Sequence, residues 1–126
     1  MSTNVPLILT EIVKAIHAND LKNIKVLIQQ ATTEDSRNIN LLLQMGAELV
    51  HHGQYQLALL VFNSLNENIE DDVRIPYNLG LTYSLLGRLT ESISSYKNAL
   101  FIEPNDIDSM INISGVYIDL CDYESA

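Results

Sequence analysis

Residues 79–104 read LGLTYSLLGRLTESISSYKNALFIEP. Two glycines, Gly80 and Gly87, stand seven residues apart with Tyr83 between them. Ala99 follows Gly87 by twelve residues, and Pro104 follows Ala99 by five. The apolar residues around them have helical spacing. Over 73–86, Val73, Tyr77, Leu81 and Leu85 fall four apart on one side, while Leu79, Tyr83 and Leu86 line another. Over 89–102, Leu89, Ile93, Tyr96, Leu100 and Phe101 form a second stripe. Gly87 separates the two, where a left-handed residue suits a C-terminal turn. Pro104 stops the second helix and biases Glu103 away from helical geometry. The stretch reads as helix, turn, helix.

The rest of the chain repeats this unit with a period of 34 residues. Gly46 falls on Gly80, and Gly53 falls on Gly87 and then Cys121. Phe62 falls on Tyr96, Tyr83 on Tyr117, Tyr55 on Leu89 and then Tyr123, and Ala58 on Ser92 and then Ala126. The copies are 39–72, 73–106 and an incomplete 107–126. Predicted helices cover 39–52, 55–67, 73–86, 89–102 and 107–120, with 123–126 beginning another. Asp71 or Asp72, and Asn105-Asp106, stand where helix N-termini need acceptors for free N–H groups. Over residues 1–38 two amphipathic helices, Leu7 to Ala18 and Leu21 to Ala31, read as a diverged copy that caps the N-terminal end.

These residues resemble the tetratricopeptide repeat, a 34-residue helix–turn–helix. Copy 73–106 carries Leu79-Gly80, Tyr83, Gly87, Tyr96, Ala99 and Pro104 at that family's spacing, with Ser92 for the usual alanine and Pro76 for the usual tryptophan. Copy 39–72 keeps Gly46, Gly53, Tyr55, Ala58 and Phe62, but departs at Leu49 and Leu65 and has Glu70 in the proline position. The third keeps Tyr117, Tyr123 and Ala126. The resemblance implies an all-α solenoid of antiparallel helix pairs in a right-handed superhelix. The repeated residues are a packing code: small residues let two helices approach, and large rings fill the space between them.

Composition narrows the partner. The chain has 126 residues, 47% of them apolar, with 16 acidic against 7 basic residues and a net charge of -9. That balance argues against a nucleic-acid partner, whose phosphates require clustered cations, and against an anionic membrane surface. No apolar run approaches a membrane span, so no insertion is expected. The opening MSTNVPLILTEIVKAIHAND lacks the basic start of a signal peptide. Cys121 is the only cysteine, which fits a reducing compartment, and a cytoplasmic location is expected.

No catalytic set is visible. His51 and His52 are adjacent on a helix and point apart, and neither they nor His17 form a zinc spacing with Cys121. The glycines are isolated punctuation, not a phosphate loop. Neither enzymatic activity in these residues nor a cofactor or metal is expected. The partner expected is a protein or peptide. In the family resembled, the first helices of successive copies line a concave groove in which partner peptides lie. Gln44, Asn78 and Asn112 hold one register position there, each offering donor and acceptor to an extended backbone. Similar asparagine ladders occur in O-linked N-acetylglucosamine transferases. Flanking them are Leu43, Tyr77 and Ile111, then Ala47, Leu81 and Gly115. A cationic clamp for a carboxylate would need a basic residue in adjacent copies. Only Arg74 supplies one, with Asn40 and Asp108 at the matching positions.

Ala126 falls where a second helix of the third copy would begin. Helix 107–120 is apolar at Ile107, Ile111, Ile113, Val116, Tyr117 and Leu120, and part of that stripe would face water. Either the native chain continues or this face pairs with another copy of itself. An alternative to a free interaction module is the N-terminal recruiting arm of a larger enzyme such as a glycosyltransferase.

Overall fold

The computed structural model describes residues 6–125, with side chains as far as residue 122. Residues 1–5, Ala126 and the side chain of Tyr123, matched above to Tyr55, lie outside the described residues. Seven helices and no strand occur among the described residues: α1 (Leu7–His17), α2 (Leu21–Glu34), α3 (Asn38–His51), α4 (Tyr55–Asn68), α5 (Arg74–Leu85), α6 (Leu89–Ile102) and α7 (Ile107–Ser125). Helices consecutive in sequence pack on one another as hairpins, and α3, α5 and α7 also touch in succession. The result is an all-α helical repeat.

Two kinds of connection alternate. Inside each hairpin the chain turns through a left-handed residue: Asn19 (φ 54°), Gly53 (φ 75°) and Gly87 (φ 77°). The next residue donates its N–H back to the helix it has just left. Asp20 bonds Ala15 O at 3.0 Å, Gln54 bonds Leu49 O at 2.8 Å and Arg88 bonds Tyr83 O at 2.9 Å. Orphan carbonyls at the helix end are satisfied this way. The turn at Asn19 shows that the first hairpin has the backbone of the other two. Asparagine tolerates the left-handed region better than most residues with a side chain. Between hairpins the chain is extended at Asp35 (φ −158°), Ile69 (φ −132°) and Glu103 (φ −135°), again one period apart. Pro104 follows only the last of these, so the stop at Ile69 occurs without it.

The expected break in the third copy does not occur. Residues 123–125 do not begin a new helix: α7 runs unbroken from Ile107 to Ser125. Cys121 occupies the position of Gly53 and Gly87, and a residue with a Cβ meets a steric cost in the left-handed region that glycine escapes. Continued helix is the lower-energy path. Tyr117 is 41% exposed, whereas its counterpart Tyr83 is half-buried. Ile111 and Ile118 on α7 are likewise exposed, at 64% and 62%, while Ile113 and Val116 face α6 and are buried.

Ring-on-glycine contacts close the two central hairpins. A Cβ on Gly80 would lie 2.8 Å from three atoms of the Tyr96 ring, and one on Gly46 would overlap the edge of Phe62. Both rings are buried. One period earlier the matching pair is Ile12 and Ile28, both fully buried. Two medium side chains there replace one absent and one large. Ala58 and Ser92 sit at the same close approach, and Ser92 Oγ donates to Gly80 O at 2.7 Å, so its buried hydroxyl is satisfied. Ala99 is fully buried in the same way. Pro76 lies in the first turn of α5, where a missing N–H removes no helical bond.

Gly46→Ala is expected to destabilise the chain by about 1–3 kcal/mol through overpacking. Adding Phe62→Leu should recover part of that loss, because the smaller side chain makes room for the methyl. Urea unfolding of the single and double variants measures this; strictly additive losses would contradict the shared-volume account.

Candidate partner-binding groove

Successive first helices α3, α5 and α7 place their equivalent residues along one face. There the structure has a hollow of about 320 Å³ lined by Leu43, Val73, Arg74, Tyr77, Asn78, Asp106 and Asp108. Leu43 is buried at its base, and Val73, Tyr77 and Asn78 are half-buried. Of the expected groove residues, Arg74, Tyr77 and Asn78 are brought together in this hollow. Leu81 is half-buried on the same helix, and Gln44 and Ile111 are exposed on its neighbours.

Arg74 is held inside its own surroundings. Its Nε and Nη2 donate to the Asp72 carboxylate at 2.9 and 2.6 Å, and its Nη1 donates to Asn40 Oδ1 at 2.7 Å. The Asp72 carboxylate also accepts the Arg74 backbone N–H at 3.1 Å. The side-chain bond from Arg74 holds the Asp72 carboxyl below its ordinary range against the opposing effect of burial, and Asp72 raises Arg74 in return. The cation expected to stand alone at the clamp position is therefore neutralised in place, and the Asn40 bond ties α3 to α5 across one period. Sequence reading missed this pair, although an aspartate two residues before an arginine at a helix start is the signal for it.

The amide ladder is partly turned inward. Asn78 Nδ2 donates to Arg74 O at 2.7 Å, one turn back in its own helix. Asn112 Nδ2 reaches the hydroxyls of Tyr77 at 3.2 Å and Tyr96 at 3.3 Å. Gln44 makes no side-chain hydrogen bond among the described residues. The carbonyl oxygens of Asn78 and Asn112 accept no hydrogen bond among the described residues, and Asn78 also keeps a second amide hydrogen outside any such bond. Asp106 caps α7 through the backbone N–H of Ser109, at 3.3 Å, and its hydroxyl. Asp108 forms no hydrogen bond or ion pair among the described residues.

Tyr77 and Tyr96 meet edge to face at 5.9 Å between centroids. Tyr96 is 1% exposed. Burial pushes its phenol up to about 12 against the lowering effect of the Asn112 bond, with Tyr77 adding a smaller upward push. Its hydroxyl links the α5–α6 hairpin to α7, a role hidden while the residue is read only as a wedge.

His17 and His52 line a separate apolar hollow with Ile16, Met45 and Leu49. No group of three or more potential metal ligands occurs among the described residues, and none of the described helices is long and apolar enough to cross a membrane.

The raised phenol carries a sign. Between pH 10 and about 12 the folded chain keeps the Tyr96 proton while the unfolded chain loses it. Stability from this group is complete below pH 10 and is lost as pH rises through 12, by about 3 kcal/mol. Tyr96→Phe should flatten that alkaline fall, read from urea midpoints at successive pH values. An unchanged slope would show that the phenol titrates normally.

No family model and no curated protein matches the chain. Solved structures do. A mutant of MamA superposes with a TM-score of 0.71 at 21% identity, over 94% of this chain and 87% of that one. The first tetratricopeptide-repeat domain of human RPAP3 gives 0.68 at 14% identity, over 95% and 94%. A tetratricopeptide repeat protein from Parabacteroides merdae gives 0.63 at 20% identity, and there the chain spans 93% of its own length but 47% of the other. The 34-residue recurrence of left-handed turns, ring-on-glycine contacts and stacked first helices agrees with these superpositions, and the chain has the tetratricopeptide-repeat solenoid fold.

Proposed function

We propose that this chain is a protein–protein interaction module that takes an extended partner segment along the face formed by α3, α5 and α7. The observation that carries the proposal is the hollow at Leu43, Tyr77 and Asn78, where an apolar floor meets the Asn78 amide at the junction of adjacent repeats. Apolar contact supplies affinity, and side-chain amides fix the direction of an extended backbone. Gln44, Arg74, Leu81, Ile111 and Asn112 extend that surface along the three helices. Binding, not turnover, is the activity such a surface supports.

Gln44 and Asn78 are the cleaner probes, because Asn112 also bonds the packed tyrosines. Gln44→Ala combined with Asn78→Ala is expected to weaken binding of peptides recovered from a random displayed library by about ten-fold. Far-ultraviolet circular dichroism should stay unchanged. Equal affinity of the double variant and the parent chain would refute the groove.

A further inference from the structure

We infer that the groove selects a segment bearing lysine or arginine side chains. This rests on the groove reading above and adds the chemistry of its occupant. Two observations of different kinds point the same way. The first is the direction of the amides. Asn78 and Asn112 both engage their NH2 groups inside the protein, on Arg74 O and on the tyrosine hydroxyls, and leave carbonyl oxygens unbonded. Unbonded carbonyl acceptors suit a donor-rich ligand, and lysine and arginine are the charged side chains that only donate.

The second is charge balance within the hollow. Arg74 is the single cation of its lining, and Asp72 neutralises it. Asp106 and Asp108 then leave the hollow net negative, and Asp108 is exposed with no ion pair among the described residues. A carboxylate-bearing ligand would meet these two acids with no free cation to offset them. An ammonium or guanidinium group would meet Asp108, while its aliphatic stem lies along Leu43 and the Tyr77 ring. Acid placement alone would not choose between a docking groove and a solvated helix end. The apolar floor and the unbonded Asn78 carbonyl in the same lining favour the groove.

Selection from a random short-peptide library against the whole chain tests this, followed by anisotropy titration of recovered peptides. Lysine and arginine are expected to be enriched over aspartate and glutamate. Asp108→Asn should weaken a recovered peptide by about five-fold, the size of one partly screened ion pair. Glu11→Gln removes the same charge from an exposed position on α1, which packs on α2, and should change affinity less than about two-fold. Equal losses in the two variants would mean diffuse attraction to an acidic chain and would overturn the inference. Neutral or acidic peptides that still lose affinity with Gln44→Ala and Asn78→Ala would overturn the cation preference and leave the groove standing. If no recovered peptide responds to those two substitutions, both readings fall.

Discussion

Tyr96 against the bare backbone of Gly80 is the contact on which the rest of the structure depends. The missing side chain lets α5 and α6 approach closely, and the ring fills the space between them. Ser92 adds a hydrogen bond to the Gly80 carbonyl at the same point, so the backbone polar group buried by the close approach keeps a partner. The phenolic hydroxyl then reaches Asn112 on α7. One side chain thus closes its own hairpin and fixes the position of the next first helix. Phe62 closes the preceding hairpin over Gly46 but has no hydroxyl to extend the link.

Placement of the groove follows from that packing. Successive hairpins bring α3, α5 and α7 side by side, and residues one period apart then share a face. Arg74 on Asn40 and Asn112 on Tyr77 are cross-repeat hydrogen bonds that hold this face in register. The same bonds change what the face offers. A guanidinium that would attract a carboxylate is occupied, and Asn78 and Asn112 each commit amide hydrogens inside the protein. The chemistry of the surface is set by residues that also serve its architecture.

Connections between helices depend on backbone conformation more than on residue type. Left-handed turns recur at Asn19, Gly53 and Gly87, and extended residues recur at Asp35, Ile69 and Glu103. Glycine and proline make such conformations easy, but the packed hairpins on either side enforce them where other residues stand. The turn is not repeated at Cys121, where α7 continues to Ser125.

Helix periodicity, the 34-residue recurrence and its small and large residues determined the solenoid, because side-chain spacing and volume are properties a sequence carries directly. The register of Gln44, Asn78 and Asn112 was equally legible, and so was the water-facing stripe on helix 107–120. Tertiary structure alone decided which atoms of those amides remain available, since a hydrogen bond to a tyrosine 35 residues away depends on distances no spacing rule contains. It also decided that Arg74 reaches Asn40 across one period and that α7 runs on to Ser125. Each of these outcomes is a competition between local preference and contacts from distant parts of the chain, and the winner is fixed only once the helices are packed.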